Sequence, residues 1–215
     1  MLYGRRQGRA LKRSKKNLLE QVLPPIQITV EEGHLKCPSR LDGYGERCLE
    51  IGFGNGDHLA HMAEKYPQIL MVGCEPFING VGTFLGMIDE KELQNVRIFT
   101  DPAQLLLQSV GPSYFSKIFL LFPDPWPKKR HHKRRFVAPE NLSLLAGVLP
   151  KGGELLFATD HPDYREWALE VFKQCPDFQI ITEGFDPPLD WVRTRFQQKG
   201  LDKGWPAYFV RLQRI

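Results

Sequence analysis

The amino-acid sequence predicts an α/β fold: a mostly parallel, seven-stranded sheet with helices on both faces and an antiparallel last strand. Three observations support this prediction. Short apolar runs alternate with segments of helical apolar spacing, a glycine-rich turn follows the first of the alternating strands, and no helix pattern separates the last two strands. Strands joined through helices run parallel by right-handed crossovers, whereas strands joined directly can pair antiparallel.

The first half of the chain opens with a basic segment before this alternation starts. Residues 20–45 are predicted to be irregular, because Pro24, Pro25 and Pro38 interrupt any long helix. The elements predicted next are strand 46–51, helix 58–66, strand 69–73, helix 78–91 and strand 96–99. The run at 69–73 is apolar throughout, as expected where helices cover both faces of a sheet.

The second half continues the alternation up to its last two strands. The predicted elements are a helix after Pro102, strand 115–121, helix 141–149, strand 153–158, helix 163–173, and strands 178–182 and 208–212. In open sheets of this kind, ligands bind beyond the carboxyl ends of the parallel strands. We therefore expect the functional residues in the turns that follow those strands.

Length and composition limit the remaining possibilities. A chain of 215 residues suits one sizeable core, and we predict a single domain, 1–215, with a basic arm over 1–30 and the core from about 45 to 215. No apolar run reaches membrane-spanning length, and the amino terminus lacks the apolar segment of a secretory signal. The four cysteines are widely spaced, which argues against a disulfide framework and favours the cytoplasm.

The net charge of +4 conceals an uneven distribution. Residues 1–16 hold seven Lys and Arg and residues 128–135 hold six, with no acid in either, so the rest of the chain has 16 cations against all 25 acids. Such runs are often only solvated surface, but two of them in an otherwise acidic chain favour contacts with phosphates. His131 and His132 lack a third ligand at zinc-site spacing. We predict a polyanionic partner and no metal.

A cofactor site is predicted at the turn after strand 46–51. Gly52, Gly54 and Gly56 allow the backbone to approach a nucleotide closely, and Glu75, at the end of the next strand, can accept both hydroxyls of a ribose. The glycines alone are also compatible with a tight strand-to-helix turn. The spacing differs from the dinucleotide fingerprint, and Glu50 before the first glycine suits a cationic cofactor, so S-adenosylmethionine is favoured over NAD.

The most informative segment follows strand 115–121. Residues 122–136 read Phe-Pro-Asp-Pro-Trp-Pro-Lys-Lys-Arg-His-His-Lys-Arg-Arg-Phe, which places Asp124 just beyond a buried strand and beside six cations. Three prolines fix φ and remove backbone donors, so the loop is stiff. Asp124 is thus a candidate site residue, although it can also cap the loop or pair with Lys128 or Arg130.

Four segments together resemble the bacterial tRNA (guanine-N7)-methyltransferases, the TrmB family. They are Glu50-Ile51-Gly52-Phe53-Gly54-Asn55-Gly56, the run 122–135, Ala158-Thr159-Asp160 and Thr194-Arg195-Phe196-Gln197. The similarity extends from the basic arm to the last strand, and the Phe-Pro-Asp-Pro-Trp segment is its most specific part. The resemblance implies a Rossmann-like class I methyltransferase fold and S-adenosylmethionine-dependent methylation of N7 of a guanosine in the variable loop of tRNA.

The resemblance also implies roles for individual residues. The cofactor would be contacted by Glu50, Gly52, Gly54, Gly56, Glu75, Asp101 and Asp124. Asp124 would be the catalytic residue, shared between cofactor and guanine. The RNA would be contacted by Lys128, Asp160, Thr194, Arg195 and Gln197.

Two departures from the family pattern qualify this transfer. Relatives often have Asp or Asn before Ala near the adenine, whereas here that place falls on Pro102, with Asp101 one residue earlier. The family's Thr-Lys-Phe-Glu is Thr194-Arg195-Phe196-Gln197, so a neutral amide replaces a carboxylate. An amide can still donate to and accept from a purine, but without charge assistance.

Alternatives from other functional classes remain open at this point. A methyltransferase of the same fold acting on another RNA or on a protein would share the glycine turn, and a non-catalytic RNA-binding module would share the cationic runs. A binding module would not need Glu50, the glycines and Glu75 at the spacing of a cofactor site. We infer tRNA as a partner and no membrane or obligate protein partner, and either a monomer or a homodimer is compatible with the sequence.

Overall fold

The computed structural model describes residues 6–39, 41, 43–189 and 191–215, with the side chains of Arg195 and Phe196 outside that description. The chain forms two compact units, residues 1–110 and 111–215, and each is considered by itself. In the described ranges, no helix combines the length and apolar character needed to cross a membrane.

The first unit contains five strands and five helices among its described residues. They are α1 (Arg13–Gln21), α2 (Leu23–Ile26), β1 (Gln27–Glu31), β2 (His34–Lys36), β3 (Glu46–Ile51), α3 (Asp57–Lys65), β4 (Ile69–Cys74), α4 (Ile78–Glu90), β5 (Val96–Phe99) and α5 (Ala103–Ser109). The strand order is β2-β1-β5-β4-β3. All neighbours are parallel except β1 and β2, and the register places Leu49 opposite Val72.

The prediction that residues 20–45 are irregular was wrong. This segment forms α2 and the hairpin β1–β2, which raises the described strands from the predicted seven to nine. The hairpin turns at Glu32 and Gly33, both with positive φ (51° and 79°), which matches the two-residue turn whose twist suits paired strands. Pro24 and Pro25 lie at the start of α2, where a missing backbone N–H breaks no helical hydrogen bond.

The second unit confirms the antiparallel last strand. Its elements are β6 (Lys117–Leu121), a 3-10 helix (Lys129–Arg134), α6 (Pro139–Val148), β7 (Glu154–Thr159), α7 (Pro162–Gln174), β8 (Phe178–Gly184), α8 (Arg195–Leu201) and β9 (Tyr208–Arg214). The strand order is β6-β7-β9-β8. Strands β6 and β7 are parallel, and β9 inserts antiparallel to both β7 and β8.

Helices cover the inner strands of each unit. In both β4 and β7, five of the six residues are buried, the pattern of strands with apolar contacts on two faces. In the first unit, the rings of Phe53 and Phe84 lie 5.0 Å apart. In the second, Phe157 of β7 contacts Tyr164 and Phe172 of α7 at 5.7 and 5.4 Å. These contacts fix the helices beside the carboxyl ends of the strands.

Candidate functional site

The glycine turn between β3 and α3 has a backbone that only glycine adopts readily. The φ angles of Gly52, Gly54 and Gly56 are 76°, 58° and 87°. The N–H of Gly52 donates to the carbonyl of Cys74 at 2.7 Å, which ties the turn to the end of β4. A Cβ on Gly56 would lie 2.2 Å from the ring of Phe84. The backbone angles and the Phe84 contact therefore explain the glycines of the turn, and its contact with a nucleotide stays a prediction.

Glu75, directly after β4, braces this turn. Its Oε2 accepts from the Gly54 N–H at 2.8 Å and its Oε1 accepts from the Phe77 N–H at 2.9 Å, with the residue 8% exposed. The two bonds therefore orient the Glu75 carboxylate beside the glycine turn, and its contact with ribose hydroxyls stays a prediction.

Glu50 is buried, with a partner that was not predicted. Near the end of β3, its Oε2 lies 2.7 Å from Nδ1 of His58 in the first turn of α3, and both side chains are 3% exposed. A carboxylate removed from water needs such a partner. Sequence reasoning treated His58 only as a helical residue, because nothing in the spacing of eight residues shows that the turn folds back. His58 orients Glu50 beside the glycine turn.

Asp101, in the bend after β5, is engaged by the amino-terminal arm. Its carboxylate forms an ion pair with the guanidinium of Arg6, and its carbonyl accepts from the Cys74 thiol at 3.3 Å. Burial, then the nearby charges of Glu75 and Asp101, raise the pKa of Cys74 well above its ordinary value. The predicted adenine-side residue is thus linked to a cation 95 positions away in the sequence.

The arm extends this contact onto the start of α4. The N–H of Ile78 donates to the Arg6 carbonyl at 3.0 Å, and the Gly8 N–H donates to Oδ1 of Asn79 at 2.8 Å. The Asn79 amide in turn donates to the Arg9 carbonyl at 2.8 Å. The basic arm, assigned to RNA from its charge alone, is therefore held against the edge of the first unit that carries Glu75 and Asp101.

The loop after β6 has an unusual backbone. Phe122 and Trp126 have positive φ angles of 51° and 45°, uncommon for side chains of this size. The Phe122 N–H donates to the Ala158 carbonyl at 2.8 Å, which fixes the point at which the loop leaves the sheet. Strained backbone of this kind costs roughly 1–3 kcal/mol per residue and persists where surrounding structure enforces it.

Asp124 is presented at the surface of this loop. Among the described residues it makes no hydrogen bond or ion pair, so neither alternative role, capping the loop or pairing with Lys128 or Arg130, is seen. Neighbouring protein atoms displace part of its hydration and raise its pKa above the ordinary value of 3.8. A carboxylate held without a partner is available to a ligand.

The six cations after Asp124 divide into two groups. Lys128, Lys129, Arg130 and Lys133 are exposed. The guanidinium of Arg134 lies 4.9 Å from the Trp126 ring centroid, and Arg135 is only 2% exposed. The prediction that all six face phosphates was therefore wrong for Arg135, because the chain folds its side chain inward. Lys128 is exposed where the 3-10 helix begins, and its contact with RNA stays a prediction.

The segment from Thr194 is arranged around the start of α8. Thr194 is 7% exposed and caps the helix, its Oγ1 accepting from the Gln197 N–H at 3.2 Å. The side-chain oxygen of Gln197 accepts from Nε1 of Trp191 at 2.7 Å. Because an indole N–H can only donate, this bond fixes the amide with its NH2 group directed elsewhere. The side chain of Arg195 lies outside the described part of the chain.

Asp160 follows β7 and contacts α8. A Cβ on Gly200 would lie 2.4 Å from Oδ2 of Asp160, so the helix approaches the carboxylate closely. Asp160 does not cap α7. The cap is His161, whose Nδ1 accepts from the Tyr164 N–H at 3.4 Å. Within the second unit, Asp160 and the segment from Thr194 are thus brought together.

Comparisons with known proteins agree with this arrangement. A family model described as "Putative methyltransferase" matches residues 45–210. The tRNA (guanine-N(7)-)-methyltransferases of Paramagnetospirillum magneticum and Paracoccus denitrificans are both 42% identical to this chain, covering 99% of it and 92% and 94% of their own lengths. Among solved structures, the 16S rRNA methyltransferase KamB superimposes with a TM-score of 0.61 at 16% identity, covering 87% of this chain and 99% of that one.

The KamB likeness concerns the fold, since its sequence identity is low. The two relatives and the family model extend over the glycine turn, the Asp124 loop and the segment from Thr194. The protein therefore belongs to the tRNA (guanine-N7)-methyltransferase family.

Proposed function

We propose that the protein transfers a methyl group from S-adenosylmethionine to N7 of a guanosine in tRNA, in the variable loop. The observation that carries this proposal is Asp124, a carboxylate without a partner among the described residues, displayed on a proline-stiffened loop beside four exposed cations. The carboxylate can hydrogen-bond the polar edge of a base, and the cations can neutralise the phosphates of the neighbouring backbone.

The first unit holds features that fit the cofactor. The left-handed backbone at Gly52, Gly54 and Gly56 leaves room for a ligand against the main chain, and Glu75 lies at the strand end where a ribose is bound in such folds. Glu50, held by His58, supplies a fixed negative charge near a cationic amino acid moiety. S-adenosylmethionine, when bound, supplies a sulfonium methyl group that a nitrogen lone pair can attack.

The chemistry needs little from the protein beyond alignment. Guanine N7 already carries a lone pair and no proton, so no general base is required to create the nucleophile. Asp124 would accept from N1–H and the 2-amino group of the guanine, which holds the base and offsets the positive charge that develops on its ring. Positioning of two reactants can contribute roughly 7–11 kcal/mol to the lowering of a barrier.

Residues of the second unit would complete recognition of the RNA. The exposed cations Lys128, Lys129, Arg130 and Lys133 would contact phosphates, and Gln197 would present its NH2 to an acceptor such as guanine O6. The family's carboxylate at this position could only have accepted a hydrogen bond. Thr194 acts as a helix cap, so its contribution to RNA binding would be to hold α8 in place beside Asp160.

The test is methyl transfer from labelled S-adenosylmethionine into purified tRNA, ribosomal RNA and a protein extract, followed by nucleoside analysis. We expect label only in tRNA, as 7-methylguanosine, and mapping of the modified position would place it in the variable loop. Label in another nucleoside, in another RNA or in protein would contradict the proposal, and absence of transfer with tight RNA binding would favour a binding module.

Two further proposals concern the compartment in which the protein acts and its oligomeric state. The four cysteines are free thiols, which supports a reducing compartment and hence the cytoplasm. A monomer or a homodimer is compatible with the proposed reaction, and sedimentation at several protein concentrations would distinguish them.

A further inference from the structure

Arg135 stands apart from the other cations of its cluster because its side chain is buried. It ends the 3-10 helix that carries the exposed lysines, yet its side chain is 1% exposed. An arginine is almost never fully buried unless it is paired. The burial therefore points to a structural partner inside the second unit, and away from a phosphate in solvent.

The guanidinium is held from three directions. Its Nε donates to the carbonyl of Pro125 at 2.9 Å, and Nη2 donates to the carboxylate of Asp163 at the start of α7. Its plane lies 5.0 Å from the ring centroid of Tyr164 and 5.2 Å from that of Trp167. The bond from Arg135 also lowers the pKa of Asp163 below its ordinary value. A planar, forked cation suits such a site and an ammonium does not.

Helix α7 secures the neighbouring backbone as well. The Val137 N–H donates to the Tyr164 hydroxyl at 3.1 Å, and Nε1 of Trp167 donates to the Val137 carbonyl at 2.9 Å. Tyr164 itself is fully buried against Phe157 of β7. The first turns of α7 thus hold residues 135–137 in place through these bonds.

The carbonyl that Arg135 holds belongs to the residue after Asp124. Pro123, Pro125 and Pro127 have no N–H, so the loop offers few donors of its own for anchoring bonds. A donor from outside the loop to a loop carbonyl can fix it beyond the point where Phe122 is bonded to Ala158. Through Pro125, Arg135 connects the backbone beside Asp124 to α7.

We propose that Arg135 is a positioning residue that holds the Asp124 loop in place on α7, and that it is not a phosphate ligand. The effect on catalysis rests on the proposed methyl transfer, whereas the tie between the loop and α7 does not. The two ideas therefore need readouts that can fail separately.

The test compares Arg135→Lys with two controls, Lys133→Ala and Lys173→Ala. Arg135→Lys keeps the charge but loses the forked donor and the planar contact. We expect kcat to fall at least 10-fold, with the Michaelis constant for tRNA and the salt dependence of tRNA binding unchanged. Lys133→Ala removes an exposed cation, so its log–log salt slope should become shallower by about 0.9. Lys173→Ala, at the far end of α7, should match the wild type in each measurement.

A second readout does not depend on activity. Hydrogen exchange at the amides of Phe122 and His131, which flank the loop and donate to the carbonyls of Ala158 and Lys128, should be at least 10-fold faster in Arg135→Lys and also faster in Asp163→Asn, which loosens the same clamp while leaving Arg135 in place. If tRNA is not methylated by the wild type, the proposed function fails while this exchange still tests the tie. A shallower salt slope in Arg135→Lys, or unchanged exchange in both variants, would overturn the positioning role.

Discussion

The ionised form of Asp124, which the proposed reaction needs, lowers the stability of the folded protein. Because its pKa is raised in the folded protein, the folded state binds a proton at this carboxyl more tightly than the unfolded chain does. Ionised Asp124 therefore lowers stability above its folded pKa, and stability from this group recovers as the pH falls toward the ordinary value of 3.8.

Asp124→Asn should separate the two effects. An amide has one acceptor oxygen and no charge, so it cannot make the two parallel charge-assisted bonds to N1–H and the amino group of guanine, and we expect kcat to fall by about 10²–10³-fold. The midpoint of thermal unfolding at pH 7 should stay the same or rise, because the ionised group is gone. Initial rates at saturating tRNA and cofactor, together with thermal unfolding, provide the check. Turnover close to that of the wild type would remove Asp124 from the chemistry.

Substitution of Glu75 should lower both cofactor affinity and stability. Glu75→Ala removes charge-assisted hydrogen bonds to the cofactor, and we expect a loss of about 1.5–3 kcal/mol in binding of S-adenosylmethionine by calorimetry. Glu75 also accepts from the amides of Gly54 and Phe77, so the side chain stabilises the turn as well. The free energy of unfolding should therefore fall as well. Unchanged cofactor affinity would show that Glu75 only braces the turn.

How well a residue's surroundings can be predicted depends on where the residue lies. Glu75 and Asp124 follow strands, so their place at strand ends could be predicted from the alternation of elements. The contacts of Arg6 and Arg135 could not, because a run of cations looks alike in sequence whether its members face solvent, pair with an acid or turn inward. The partners of Arg6 and Arg135 lie 95 and 28 positions away, and no local pattern encodes such contacts.

Among the elements, the glycine turn offers a matched comparison. Gly52 and Gly56 both have positive φ, but a Cβ on Gly52 would meet nothing within 4 Å, whereas one on Gly56 would meet the Phe84 ring at 2.2 Å. We expect Gly52→Ala to cost about 1–2 kcal/mol from backbone conformation alone. Gly56→Ala should cost a further 1–3 kcal/mol or so, from overpacking against α4. Urea unfolding of both variants measures the difference, and equal costs would contradict the described contact.

The seven strands of the alternation were all predicted, and the elements that escaped prediction are short or lie outside it. Strands β1 and β2 have five and three residues, too few to establish an alternating pattern, and prolines precede them. β1 is stabilised by pairing with β5, through Ile28 opposite Phe99, which only the folded chain reveals. Helix α8 spans seven residues and depends on the Thr194 cap more than on an apolar stripe.

At the scale of the whole molecule, the basic arm contacts Asp101 and the start of α4. These contacts change the effect expected from removing the arm. Its charge and its distance along the sequence from the glycine turn predict that its removal leaves cofactor affinity unchanged. The ion pair with Asp101 and the bonds to the start of α4 predict instead that deleting residues 1–16 lowers affinity for S-adenosylmethionine, besides making the salt slope of tRNA binding shallower.

Two point variants separate the arm's effect on cofactor affinity from its effect on tRNA binding. Arg6→Ala removes a largely exposed ion pair, so the change in cofactor affinity should stay within about 1 kcal/mol. Arg13→Ala, an exposed residue of α1, should alter the salt slope and leave cofactor binding as it is. Calorimetry with the cofactor and tRNA titrations at several ionic strengths measure both. Wild-type cofactor affinity in the truncated protein would show that the arm's contacts are structural only.

The same attachment sets an order of events during synthesis. The arm and β1 leave the ribosome before their partners at Asn79, β5 and Asp101, which follow some 70 to 95 residues later. At about 5–20 residues per second, the arm waits roughly 5–20 s before it can dock. The arm is therefore synthesised well before it can dock, and until then its cations are exposed to any nucleic acid nearby.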